Sequence, residues 1–274
     1  MSTFLNDMAR SSAERAAEAK RRESVGALER RARRTPAAPP LRLSAGGFDV
    51  IAELKLRSPA MGALGAAAED LFARVASYAQ GGAAAVSVLT EPSRFDGSLE
   101  HLRYAAQVLT PLGVPAMRKD FIVDPYQVLE ARAAGAGGVL VILRMLPRAR
   151  LIELLATAAE HDLFVLLEAF DEADVAMARG LMGAQPPGAP VLVGINCRDL
   201  ETLKVVPQRF AALAPLLSAD WLNVAESGVA TSEDAREMRR LGYRLALIGT
   251  ALMQSENPRA LLADIFDAAR TVRS

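Results

Sequence analysis

The chain has 274 residues, with 32 Lys plus Arg balanced by 32 Asp plus Glu. That balance leaves no electrostatic footprint for nucleic acid or for an anionic membrane surface. The single cysteine, Cys197, excludes an internal disulfide and points to a reducing compartment, the cytoplasm.

Residues 3–34 open the chain as a helix former. Phe4, Leu5, Met8, Val25 and Leu28 form a thin apolar stripe among Ala, Glu, Arg and Lys. The basic residues Lys20, Arg21 and Arg22, and then Arg30, Arg31, Arg33 and Arg34, read as a solvated face. Pro36, Pro39 and Pro40 end this segment as a stiff connector. The N-terminus has no apolar signal core, and no apolar run is long enough to span a bilayer.

Short apolar runs then alternate with amphipathic segments. The runs are 50–55, 84–90, 114–118, 138–144, 164–168, 191–196, 222–225 and 245–249. The helical stretches between them are 69–80, 98–109, 125–134, 148–161, 172–181, 208–217 and 232–241, and 259–271 closes the chain. Eight strand–helix units predict a parallel sheet closed as a (β/α)₈ TIM barrel, in one domain with an N-terminal helical extension. An open doubly wound sheet is the alternative. It calls for G-x-G-x-x-G after the first strand, and that pattern is absent there. Residues 185–190, rich in Pro and Gly, read as a loop extension.

In a TIM barrel the chemistry sits where the strands end. Here the ends carry Glu53, Lys55 and Ser58; then Arg118, Lys119 and Asp120; then Glu168; then Asn196 and Arg198; then Glu226, Ser227 and Gly228; and finally Gly249 and Thr250. Glu53 and Lys55, two apart on one strand, point to the same face. Any of these alone reads equally well as an ion pair or a cap, but together they describe a common pocket. Small residues after strands seven and eight fit a phosphate site built from backbone N–H groups. His101 and His161 fall in helical segments, which argues against a histidine base or a histidine-rich metal centre. Cys197 has no histidine beside it and takes a packing role. Acid–base work then falls to Lys and Glu, and Arg118 and Asp120 are expected to tune the charge of Lys119 between them.

Seven motifs, in order, resemble the indole-3-glycerol phosphate synthase family over most of the chain. They are Ile51-Ala52-Glu53-Leu54-Lys55 with Ser58-Pro59, Ser87 to Glu91 with Phe95-Asp96-Gly97-Ser98, and Arg118 to Ile122. Leu167-Glu168 follows, then Gly194-Ile195-Asn196 with Arg198-Asp199-Leu200, Ala225 to Gly228, and Ile248 to Met253.

The resemblance implies decarboxylating, dehydrating ring closure of 1-(2-carboxyphenylamino)-1-deoxyribulose 5-phosphate, with no cofactor and no metal. It assigns Lys119 as the acid on the substrate carbonyl and Lys55 as the cation beside the substrate carboxylate. Lys55, Glu53 and Glu168 share the dehydration, with the step taken by each left open. Asn196 orients Glu168 and the substrate, and Glu226 holds the lysines in place at the substrate site. Ser58, Arg198, Ser227, Gly228, Gly249 and Thr250 cradle the phosphate. Phe95, Phe121 and Pro59 line the slot for the aromatic ring, and the N-terminal helix covers the barrel mouth. The partner is a phosphorylated small molecule, and the chain is expected to be a monomer or weak homo-oligomer.

The sequence departs from the family pattern at Leu56, Ala60 and Met61, where basic, serine and lysine residues are usual, and at Ala169-Phe170. The loop 56–68 is poor in charge and rich in Gly and Ala, and is expected to be mobile and to influence turnover. Two other readings stay open: another phosphosugar-converting TIM-barrel enzyme, or a repurposed paralogue that binds an anionic aromatic phosphate.

Overall fold

A computed structural model describes residues 3–45, 47–58, 62–63, 68–183 and 190–272. Eight parallel strands close into a barrel: β1 (Asp49–Leu54), β2 (Ala85–Leu89), β3 (Ala116–Lys119), β4 (Gly138–Ile142), β5 (Phe164–Ala169), β6 (Val191–Asn196), β7 (Leu222–Glu226) and β8 (Leu245–Ile248). Closure is direct, since Ile51 of β1 is in register with Ala85 of β2 on one side and Leu247 of β8 on the other. No strand edge is left open within the barrel.

Strand alternation sorts the side chains. Ile51, Ala85, Met117, Leu140, Phe164, Leu166, Leu192, Val224, Leu245 and Leu247 point inward and fill the barrel. Val50, Ala52, Val86, Val88, Val139, Val141, Val165, Leu167, Val193 and Ile195 point outward, under the helices. Burying each such side chain contributes about 1.5–3 kcal/mol. The floor depends on a glycine: a Cβ at Gly138 would come within 2.4 Å of the Phe164 ring that plugs the barrel.

The same alternation delivers the site. Two steps beyond an inward apolar residue comes an inward polar one: Glu53 after Ile51, Lys119 after Met117, Glu168 after Leu166, Glu226 after Val224.

Around the barrel run α3 (Ala68–Gln80), α4 (Leu99–Leu109), α5 (Pro125–Ala133), α6 (Arg148–Glu160), α7 (Glu172–Met182), α8 (Gln208–Leu213), α9 (Ser232–Arg240) and α10 (Pro258–Arg270). Their starts follow from local chemistry. Ser98 accepts from His101 N at 3.1 Å, and Asp124 with Gln127 and Thr231 with Asp234 form capping boxes. α8 is shorter than expected because Pro215 tightens 214–216 into a 3₁₀ turn.

The N-terminal segment is two helices, not the single one expected: α1 (Thr3–Arg22) and α2 (Val25–Arg34). Ser24 breaks it, taking an extended backbone and accepting from Ala27 N as the cap of α2. Leu5 and Met8 of α1 join the inner cluster with Phe121, Ile142 and Phe170, so α1 lies across the C-terminal mouth. Leu28 of α2 packs on Tyr126 and Leu129 of α5.

After β1, Arg57–Ser58 pairs antiparallel with Gly62–Ala63. Pro59, Ala60, Met61 and 64–67 lie outside the described residues, so the expectation about this loop falls largely there. So does 185–189 of the 185–190 extension. Among the described residues no helix is long and apolar enough to cross a membrane.

Candidate active site

Lys55 Nζ lies 2.8 Å from Glu53 Oε1, as their spacing on one strand requires. Gly249 opposite makes room for this pair, because a Cβ there would sit 2.3 Å from Glu53 Oε1 and 2.9 Å from Lys55 Nζ. Burial by itself would push the Glu53 carboxyl up, but the ammoniums of Lys55 and Lys119 hold it below the usual carboxylate range.

Lys119 projects into the centre, with its Nζ 3.8 Å from Glu168 Oε1 and 3.9 Å from Glu226 Oε2. Burial disfavours its charge, yet the surrounding carboxyls, led by Glu168, outweigh burial and hold it above an ordinary lysine. Asn196 Nδ2 donates to Glu168 Oε1, while Asn196 Oδ1 accepts from Arg198 N at 2.8 Å. Both ends of the amide are therefore used to orient Glu168. Glu226 lies deepest and has only 1% of its surface exposed.

Arg118 and Asp120 do not tune Lys119 as expected. Neighbours in a strand face opposite ways, so Arg118 turns outward and bonds Asp120 Oδ2 at 3.0 Å and Glu130 Oε2 at 3.1 Å. Asp120 also accepts from Thr90 Oγ1 at 2.7 Å and from both terminal nitrogens of Arg15, at 2.8 and 3.2 Å.

Two adjoining cavities share Glu53, Lys55, Lys119, Arg198 and Ser227. One is an apolar slot lined by Phe4, Phe95, Phe121, Phe170, Leu200 and Leu203. Phe121 is its hub, 5.8 Å from the Phe4 ring and 6.2 Å from the Phe95 ring. The other reaches Ser227, Gly228, Gly249 and Thr250 at the ends of β7 and β8. Ser227 and Gly228 have φ of +63° and +90°, and the left-handed backbone is costly for a serine. Gly249 precedes the helix Thr250–Gln254 without a side-chain cap. Arg198 stands between the two cavities, its Nη1 donating to Leu203 O at 2.7 Å.

Of the residues singled out by sequence, Glu53, Lys55, Lys119, Glu168, Asn196, Phe95, Phe121, Arg198, Glu226, Ser227, Gly228, Gly249 and Thr250 all line these cavities. Pro59 and the side chain of Ser58 lie outside the described part. Phe4, Leu200, Leu203 and Val205 were missed. Phe170 was noted only as a departure, although the inward series Phe164, Leu166, Glu168, Phe170 pointed to it. Cys197 is buried under the helices, and burial pushes its thiol up to about 12, which makes it inert. His101 lies in the first turn of α4, and His161 is buried beside Glu29 of α2 at 3.4 Å.

Lys119, Glu53, Glu168 and Asn196 thus meet at the C-terminal mouth of the barrel. The family model described as indole-3-glycerol phosphate synthase matches residues 5–265. The chain belongs to the indole-3-glycerol phosphate synthase family.

The indole-3-glycerol phosphate synthase of Parafrankia sp. (strain EAN1pec) is 42% identical over 252 residues, covering 90% of this chain and 89% of that one. The indole-3-glycerol phosphate synthase of Mycobacterium tuberculosis (strain CDC 1551 / Oshkosh) is 38% identical over 261 residues, covering 93% of this chain and 91% of that one. Among solved structures, 3-hexulose-6-phosphate synthase from Salmonella typhimurium superposes with a TM-score of 0.60 at 12% identity, covering 81% of this chain and 98% of that one. Orotidine 5'-phosphate decarboxylase from Pyrococcus horikoshii OT3 gives 0.57 at 13%, covering 81% of this chain and 100% of that one. At such identities the likeness concerns the barrel alone. The indole-3-glycerol phosphate synthase family thus accounts for nearly the whole chain, α1 included.

Proposed function

We infer that this chain is an indole-3-glycerol phosphate synthase, a carboxy-lyase. It converts 1-(2-carboxyphenylamino)-1-deoxyribulose 5-phosphate to indole-3-glycerol phosphate, carbon dioxide and water. The observation that carries the roles below is the placement of Lys119 between a slot lined by aromatic rings and a cavity that reaches the small residues Ser227, Gly228, Gly249 and Thr250.

The aromatic ring enters the slot of Phe4, Phe95, Phe121 and Phe170, and the 5'-phosphate takes the Ser227, Gly228, Gly249 and Thr250 side with Arg198. The substrate carbonyl is then left beside Lys119. The ring carbon that bears the carboxylate attacks this carbonyl carbon. Lys119 gives a proton to the oxygen, which becomes a hydroxyl. Lys55 balances the carboxylate until its C–C bond breaks, when the electron pair returns to the ring and carbon dioxide leaves. The hydroxyl then departs as water with one proton, and a second proton comes off the neighbouring methylene to complete the indole. Lys55, Glu53 and Glu168 supply this acid and base, and Asn196 keeps Glu168 aligned. Glu226, under Lys119, holds the lysine in position. The single cysteine supports a cytoplasmic setting, and the chain acts as a monomer or weak homo-oligomer.

The test is competitive inhibition by two substrate analogues that differ only in the 5'-phosphate. The phosphorylated one should bind at least tenfold more tightly, about 1.4 kcal/mol. Equal affinity would contradict the phosphate cradle.

A further inference from the structure

The charge state of Glu226, which lies under Lys119, follows from its surroundings. Its carboxyl is buried, and neither Oε1 nor Oε2 has a hydrogen-bond partner among the described residues. Its floor is apolar and close. Oε1 occupies the space that a side chain at position 194 would take, only 2.0 Å from an ideal Cβ built on Gly194. Leu166 Cδ1 lies 3.0 Å from that same point. The nearest cation, Lys119 Nζ, is 3.9 Å away, beyond hydrogen-bonding reach, and stands equally close to Glu168. Lys55 is engaged by Glu53 at 2.8 Å. Arg198 donates to Leu203 O. An ionised carboxylate in such a place would be desolvated without a single donor, which costs more than keeping the proton.

We propose that Glu226 works as an uncharged carboxylic acid, so that Lys119 is paired with one close carboxylate, Glu168, and not two. Burial and the neighbouring Glu168 charge push Glu226 well above the usual glutamate range, and Lys119 does not offset them. Among the described residues, the other charges at Glu226 are Glu53 on β1, Lys55 just after it, Lys119 on β3, Glu168 on β5 and Arg198 after β6. A bound substrate adds a phosphate and a carboxylate to this site, and both favour the neutral form further. The consequence for catalysis rests on the lyase reading. A second carboxylate on Lys119 would make it a weaker acid, so a neutral Glu226 keeps its proton easier to transfer. Glu226 is thus a positioning residue that acts through Lys119.

The protonation state itself can be read without substrate, independently of that reading. The wild-type protein is labelled with ¹³C at the glutamate carboxyls and titrated by NMR. One carboxyl resonance should stay at the protonated shift at pH 7 and move only in alkaline solution, and Glu226→Gln should remove that resonance. If every glutamate carboxyl has moved to its ionised shift by pH 6, the proposal is wrong, whatever the variant does. Thermal unfolding gives a second readout. A proton retained in the fold and lost on unfolding costs stability as pH rises above the ordinary glutamate value, about 4.3. Glu226→Gln should therefore melt higher than wild type at pH 7, by a gap that closes at pH 4. A gap of the opposite sign would mean that Glu226 is ionised. In kinetics, the alkaline limb of kcat should shift in Glu226→Gln, and an unmoved limb would remove the link to Lys119.

Discussion

Arg15 of the N-terminal helix grips Asp120, the residue that follows Lys119, with guanidinium–carboxylate contacts of 2.8 and 3.2 Å. Ser12, one turn earlier on α1, donates to Phe121 O and accepts from Gln127 Nε2 at 2.8 Å. The helix over the mouth is thereby wired to the two residues that follow the central lysine. Arg15→Ala should cost about 1–3 kcal/mol, because Asp120 stays buried with fewer donors. It should also lower kcat, by loosening Lys119 and Phe121. Denaturant unfolding and steady-state kinetics on one preparation check both effects, and unchanged kcat would make the contact purely structural.

Acid should attack the same contact. Burial would raise the Asp120 carboxyl, but Arg118, Arg15 and Thr90 hold it well below the usual range. The folded chain keeps Asp120 ionised where the unfolded chain takes up a proton. That stability is complete above about pH 4 and is lost as pH falls below it. Arg15→Ala should accordingly unfold at higher pH than wild type in an acid titration followed by circular dichroism.

Lys119→Ala should lower kcat about 10²–10⁴-fold with a much smaller change in substrate affinity. Single-turnover kinetics separates the two. A variant with normal turnover would remove Lys119 from the chemistry.

Gly249→Ala tests the close approach of two strands. The new Cβ would collide with Glu53 Oε1 and Lys55 Nζ, so the pair must shift or the strands must part. The expected cost is about 1–3 kcal/mol in stability with a fall in kcat, measured by thermal unfolding and rate assays. Wild-type values for both would mean that the pair has room to move.

Beyond β1, Arg57 Nη1 lies 3.7 Å from Asp96 Oδ1, tying the loop after Lys55 to the one that carries Phe95. Both side chains are about half exposed, so the pair adds little stability, about 0–1 kcal/mol. Arg57→Ala should leave the melting temperature unchanged while altering KM or kcat. Leu56→Arg places a second cation beside it and should move the same constants. Kinetics identical to the parent for both variants would mark the departure at Leu56 as neutral.

Much of this was legible in sequence because the barrel repeats one local rule. Apolar runs of strand length predict the sheet, and stepping by two along Ile51, Glu53 and Lys55 predicts which charges meet. The same rule, pressed further, separates Lys119 from Arg118 and Asp120 and finds Phe170. Other features were hidden for a physical reason. The contact of Arg15 with Asp120 and the edge-to-face contact of Phe4 with Phe121 join residues over a hundred positions apart, and nothing local encodes them. The break at Ser24 was signalled only by one capping residue in a strongly helical segment. The tight seats at Gly194 and Gly249 appear only when a Cβ is tried against the opposite strand.

The most direct measurement incubates the purified chain with 1-(2-carboxyphenylamino)-1-deoxyribulose 5-phosphate and follows indole fluorescence together with released carbon dioxide. Fluorescence and carbon dioxide should rise in equal amounts, and Lys119→Ala should slow both about 10²–10⁴-fold. A correctly folded wild-type protein that binds this substrate and leaves it unchanged would contradict the account.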